Sequence, residues 1–243
     1  MRLLRHHWHK TVPRHLGKWA KYRGFVNIAG CRFHVDIPEI SPGMAGVMMQ
    51  GNYEGAEVDA IRAYLDPSLP VIECGAAMGI TSCVANQKLH RPTDHIAIEP
   101  NPLALRMLKR NKTLNQSQFT IVEAAIGYDT DTVTFTPGHE ILAAHVGHSA
   151  HAIAVRATTL RDHARWPRFS LLCDIEGTEL ELFERDGDLI RERVPLLILE
   201  THETARGHTA QVLFPWLQDA GFHQAWKHES VSVWSRPSQD ERG

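Results

Sequence analysis

From residue 24 onward, short apolar runs alternate with segments whose apolar residues recur every three or four positions. PVIEC (70–74), HIAIE (95–99), FTIVEA (119–124), SLLC (170–173) and VPLLILE (194–200) carry almost no internal polar alternation. That pattern predicts strands covered on both faces. Between them, residues 54–65 place Val58, Ile61 and Leu65 at helical spacing. A helix follows the glycine turn after Cys74 and runs through Leu89. Asn101-Pro102 opens another, a capping residue followed by a first-turn proline, with Leu105, Leu108 and Leu114 behind it. A short amphipathic helix with Leu180 and Phe183, and one across 209–219, complete the set. Strand and helix in alternation predict a parallel sheet between two helical layers. Two hairpins depart from it. One, around Gly30, joins 25–28 to 31–37; the other joins FHQAW to SVSVW across KHES. The second predicts a seven-stranded α/β sheet whose last strand runs antiparallel.

Length changes this picture little: 243 residues suit one large domain with a short appendage. The appendage is expected at 1–23, with a single domain over 24–243 and an inserted hairpin or lid around 130–157. Charge is uneven. Eight of the 26 Lys and Arg precede the first acid, Asp36, and Leu4, Trp8, Leu16 and Trp19 lie among them. Such a basic arm suits peripheral contact with a membrane or an anionic substrate, or a solvated segment packed loosely on the domain, with Pro13 interrupting any single long helix. The acidic remainder argues against nucleic acid. Four cysteines show no C-x-x-C spacing and no apolar core follows the basic N-terminus, so buried thiols in a cytoplasmic protein are expected.

The chemistry concentrates at strand ends. Glu73, Glu99, Glu123, Asp174 and Glu200 each close a predicted strand, and all five would emerge at the carboxyl edge, where open α/β sheets bind ligands. The stretch VIECGAAMGITS follows Glu73 with a turn nearly free of side chains. Its glycines permit close backbone approach, and the helix after it offers amides to a carboxylate. A nicotinamide-type G-x-G-x-x-G would need glycines where Ala77 and Ile80 stand. Glu99 suits an acid that accepts from both hydroxyls of a ribose.

The stretches QGNYEGAEVDAIRAYL, VIECGAAMGITS, AIEPNP, IVEAAIG, CDIEGTELELF and LILETH follow one another in a recognisable order over residues 45–235. In that order the chain resembles the FkbM-type family of class I methyltransferases dependent on S-adenosylmethionine. The resemblance implies a Rossmann-like three-layer sandwich and, for most members, O-methylation of sugars, antibiotics and other hydroxylated small molecules. It implies that Glu73, Gly75, Ala76, Met78 and Gly79 line the methionine half of the cofactor. Glu99 with Pro100 and Asn101 would hold the ribose, Glu123-Ala124 would flank the adenine, and Asp174 to Gly177 would face the methyl group. Two features depart from the family: Glu73 stands where Asp is usual, and the insert is rich in histidine.

Methyl transfer to an alcohol needs a proton acceptor, and Asp174, Glu176 and His202 are the candidates in that order. Asp174 could instead cap the following helix. No metal is assigned, although Asp174, Glu176, Glu200 and His202 could together hold one Mg²⁺. His139, His145, His148 and His151 match no familiar metal-site spacing; their segment, 138–152, is expected to be a substrate lid. A catalytically degenerate binding module and a nicotinamide oxidoreductase are the competing functions.

Overall fold

The computed structural model describes residues 14–136, 145–146, 152–175, 177–204 and 207–236. Glu176 and most of the expected lid, including His139, His148 and His151, lie outside them.

Helix α1 (Arg14–Arg23) leads into the hairpin β1 (Phe25–Ile28) and β2 (Cys31–His34), then α2 (Pro42–Met49) and α3 (Gly55–Tyr64). Next come β3 (Val71–Cys74), α4 (Ile80–Lys88), β4 (His95–Ile98), α5 (Pro102–Leu114) and β5 (Thr120–Val122). The short β6 (Ala125–Ile126) precedes β7 (Thr132–Thr136), β8 (His145–Val146) and β9 (Ile153–Thr158), which form a separate four-stranded sheet in the order β6-β9-β7-β8. The insert is thus an antiparallel β7/β9 pair, in register from Thr132–Arg156 to Phe135–Ile153. The main chain of alternation resumes with β10 (Ser170–Cys173), α6 (Glu179–Arg193) and β11 (Leu196–Glu200). The small pair β12 (Glu203–Thr204) and β13 (Gly207–His208) leads to α7 (Thr209–Asp219), β14 (His223–His228) and β15 (Val231–Ser235).

The main sheet has seven strands in the order β14-β15-β11-β10-β3-β4-β5. Only β15 runs against the others, pairing antiparallel with both β11 and β14. Its inner strands β3, β4, β10, β11 and β15 are buried almost throughout because helices cover both faces, whereas the edge strands β5 and β14 are not. Val71, Leu172 and Ile198 pack with α3 and α4 on one side, while Ile72, Leu171 and Leu197 pack with α6 and α7 on the other. The chain leaves β3 toward β4 and β5 and later returns to lay β10 on the opposite flank of β3. The strand order therefore reverses between β3 and β10, and a cleft opens at their carboxyl ends.

The second half of the expected basic arm is a packed helix. Gly17 lies so close to α2 that a Cβ there would stand 1.5 Å from the Pro42 carbonyl oxygen. Ala20 is buried, and the Lys21 ammonium donates to the Ile37 and Ile40 carbonyls at 2.6 Å each. The outer face of α1 leaves Trp19 and Tyr22 exposed. All four cysteines are buried free thiols, and no helix among the described residues is long and apolar enough to cross a membrane.

Candidate active site

The turn after β3 is held by backbone bonds. Gly75 (φ +90°), Ala77 (φ +44°) and Gly79 (φ +85°) all have left-handed backbone, so position 77 keeps a glycine-type conformation without the glycine. The Gly75 and Ala76 N–H groups both donate to the Ile98 carbonyl, at 2.9 and 3.1 Å. The Ala77 N–H donates to Glu99 Oε2 at 2.7 Å, and the Asn101 N–H to Glu99 Oε1 at 2.7 Å. Glu99, 5% exposed, thus ties the glycine turn to the start of α5. Asn101 caps that helix by accepting from the Leu103 N–H.

The other expected cofactor residues divide. Ala76 and Met78 are wholly buried, and the Met78 carbonyl accepts from Asn111, so their side chains belong to the core. Gly79 is required by α5, since a Cβ there would come within 2.4 Å of Leu108 Cδ1. Pro100 is half-buried. Ala124 is buried, whereas Glu123 points outward and pairs with Lys109 at 2.6 Å.

Glu73 projects toward α3 and α4 from the third position of β3. Its Oε2 accepts from Ser82 Oγ at 2.5 Å and lies 3.3 Å from His95 Nε2. Its Oε1 is buried without a hydrogen-bond partner among the described residues. Glu73 lines a cleft together with Glu54, Glu57, Gly75, Asp174 and Glu200. The amide end of α4 already faces a carboxylate of this chain, because the Thr81 N–H reaches Glu54 Oε2 at 3.3 Å. Among the described residues no lysine or arginine pairs with Glu54, Glu57, Glu73 or Glu200. Glu54 and Glu57 were not singled out from the sequence. Their spacing, 54 and 57 against Val58 and Ile61, places them on the inward side of α3.

Crowding carboxylates away from water favours their protonated forms. Burial pushes Glu54 up to about 8, reinforced by Glu73 and Glu200, while hydrogen bonds from Tyr53 and Thr81 act in the opposite sense. Burial, then the charge of Glu200, also raises Glu57. The folded chain therefore keeps protons that the unfolded chain releases above the ordinary glutamate value. Folded stability should fall as pH rises from about 5 toward about 8. Glu54→Gln removes this term, so the melting temperature should rise more at pH 8 than at pH 6, roughly the two ends of the window. Equal shifts at both pH values would show that Glu54 is ionised in the folded protein.

On the other flank of the switch point, Asp174 follows β10 and His202 follows β11. The His202 ring lies between acids: Nδ1 is 2.7 Å from Glu179 Oε1, and Nε2 is 3.5 Å from Asp174 Oδ1 and 3.9 Å from Glu200 Oε1. Glu179, at the start of α6, is fully buried, and its Oε1 also accepts from the Gly177 N–H at 3.1 Å. Glu200 Oε1 accepts from Ser230 Oγ at 2.8 Å. One ligand atom from each of Asp174, Glu200 and His202 falls within 4.8 Å of the others, a spacing a metal ion could bridge. Glu179, like Glu54 and Glu57, was not singled out from the sequence. Its signal was the inward stripe of α6, where Glu179 precedes Leu182, Phe183, Asp186, Leu189 and Ile190.

Among solved structures, the chain is similar to the methyltransferase FkbM from Methylobacillus flagellatus, with 14% identity over 90% of this chain and a TM-score of 0.47. It spans 58% of that protein's length. A precorrin-6y C5,15-methyltransferase from Geobacter metallireducens shares 16% identity over 75% of this chain and 87% of its own, with a TM-score of 0.45. TYW2 from M. jannaschii, in complex with AdoMet, shares 15% over 88% of this chain and 86% of its own, also at 0.45. No curated protein matches the chain. The model of the methyltransferase FkbM domain matches residues 73–223, from Glu73 in β3 through Asp174 and His202 to the start of β14 and well over half of the sequence, and the chain belongs to that family.

Proposed function

We propose that this methyltransferase transfers the methyl group of S-adenosylmethionine to a hydroxyl oxygen of a small molecule or sugar. The observation that carries the reading is the ring of carboxylates around one cavity at the switch point, with Asp174 and His202 at its rim. Such a ring suits a ligand bearing an ammonium and a sulfonium. The buried Glu73 Oε1, without a partner among the described residues, adds an acceptor for a cationic donor. When bound, S-adenosylmethionine supplies an electrophilic methyl carbon.

Glu73 and Glu54 would hold the cationic part of that ligand, and Glu99 its ribose. Each Glu99 oxygen accepts from one backbone amide, and a carboxylate oxygen can accept more than one hydrogen bond. The acceptor's hydroxyl must lose its proton as the new bond forms. The negative rim formed by Asp174, Glu200 and His202 is where this chain favours that loss. A decayed binding module would have had no reason to keep Glu73, Glu99, Asp174 and an imidazole anchored on a buried glutamate.

The test is methyl transfer from labelled S-adenosylmethionine to a panel of hydroxylated acceptors, with melting curves run beside it. S-adenosylmethionine should raise the melting temperature and a nicotinamide dinucleotide should not. The reverse result would favour an oxidoreductase, and binding without transfer to any acceptor would favour a binding module. The ribose assignment is tested separately. A hydrogen bond to a charged acceptor contributes roughly 1.5–3 kcal/mol, so Glu99→Ala should weaken cofactor binding at least about tenfold by calorimetry. That change also strips the Ala77 and Asn101 amides of their acceptor, so a lower melting temperature should accompany it. Glu99→Gln retains the volume and one acceptor, which makes it the cleaner variant. Unchanged affinity in Glu99→Gln would rule out the ribose role.

A further inference from the structure

We propose that Asp174, Glu200 and His202 form a binding site for a first-row divalent cation such as Mn²⁺, with Glu179 fixing the imidazole. The three side chains come from the ends of the neighbouring strands β10 and β11. Their ligand atoms converge without distortion of either strand: His202 Nε2 is 3.5 Å from Asp174 Oδ1 and 3.9 Å from Glu200 Oε1. Ligands bound at about 2.0–2.2 Å to one ion lie roughly 3–3.5 Å apart. A small inward rotation of two carboxylates is enough.

The orientation of His202 carries the argument. Nδ1 stands 2.7 Å from Glu179 Oε1, a carboxylate that is wholly buried and already accepts the Gly177 N–H. An acceptor there requires the proton on Nδ1. Nε2, on the far side of the ring, is thereby turned toward Asp174 Oδ1 and Glu200 Oε1, where an ion would sit between the three. A carboxylate behind a histidine, holding its far nitrogen ready for an ion, is how proteins orient metal-binding imidazoles. Glu200 is steadied in the same manner by Ser230 Oγ. Glu179 Oε2 is also buried without a hydrogen-bond partner among the described residues.

One imidazole beside two carboxylates suits a first-row transition ion better than Mg²⁺ or Ca²⁺, which take oxygen ligands, and Mn²⁺ is the member of that row that also accepts carboxylates readily. Three protein ligands leave further positions on the ion for water or an acceptor's oxygen. That last use rests on the methyl-transfer reading; binding of the ion does not.

The experiment titrates Mn²⁺ alone into the full chain after chelation, following free Mn²⁺ by electron paramagnetic resonance. One saturable ion per chain is expected. Glu179→Gln should weaken it about 10- to 100-fold, and His202→Ala should abolish uptake over the same range. Melting curves establish that each variant is folded; should His202→Ala fail to fold, Glu179→Gln decides. No saturable uptake at millimolar Mn²⁺ overturns the proposal. Uptake unchanged in the folded variants places the ion elsewhere and overturns it equally. Mn²⁺ binding as expected with no methyl transfer to any acceptor would leave the site standing and remove only the methyl-transfer reading.

Discussion

Replacing Asp174 by asparagine is expected to lower turnover by at least about a hundredfold while changing cofactor affinity only a few-fold. The residue stands at the end of β10, its N–H bonded to the Cys74 carbonyl at 2.9 Å, so its main chain is fixed to the neighbouring strand. Asparagine keeps that main-chain bond, the side-chain volume and one acceptor oxygen. What it removes is the negative charge beside His202 Nε2. Whether the carboxylate takes the acceptor's proton itself or helps hold a cation that acidifies the hydroxyl, the charge is the working part. Assistance of this kind is worth about a hundred- to ten-thousandfold. Single-turnover rates at saturating cofactor, with calorimetry for affinity, separate the outcomes. A collapse of cofactor binding would move Asp174 into the cofactor shell and leave His202 and Glu176 as candidates for the proton. Unchanged values for both quantities would mean that hydroxyl activation lies away from this rim.

The central strands were legible because β3, β4, β10 and β11 are apolar runs too short for a helix with an acid at or near their ends, the pattern of strands covered on both faces. The antiparallel β15 followed from the KHES turn between two runs of strand-forming residues. Helix α2 was not legible. PGMAGVMM carries two glycines and is apolar all round, so it has no helical period; it folds because Ser41 caps it, accepting from the Met44 N–H, and because α1 packs on it. Basic composition likewise concealed α1, whose packing depends on Gly17 rather than on an apolar stripe. In the site, the strand-end acids were visible by position, but their environments were not. Glu123 ends up on the surface, while Glu54, Glu57 and Glu179 face inward on the apolar stripes of their helices, where composition alone gives an acid no reason to be. Tertiary contacts decide that, because burying an acid is tolerated only where another group answers it.

The turn after Glu73 was expected to be bare of side chains so that a ligand could lie against it, and Gly75 gives that expectation a different physical basis. Gly75→Ala should destabilise the protein by at least about 3 kcal/mol, or prevent its folding, with or without cofactor. A Cβ at Gly75 would stand 1.6 Å from the Asp174 carbonyl oxygen and 2.6 Å from its carbon. Those are main-chain atoms of the adjacent strand, not the tip of a side chain that could swing aside. The pair is locked from the other direction as well, since the Asp174 N–H donates to Cys74 and the Gly75 N–H to Ile98. Gly75 cannot retreat without breaking β3 from β4 or β10. Its φ of +90° adds a backbone cost for any L side chain. Close approach at this point is what brings the carboxyl ends of β3 and β10 together, and with them Glu73 and Asp174 onto one cavity. Chemical denaturation of Gly75→Ala measures the loss directly. If the variant folded with nearly native stability but lost cofactor affinity, the ligand and not the neighbouring strand would be what the missing side chain makes room for.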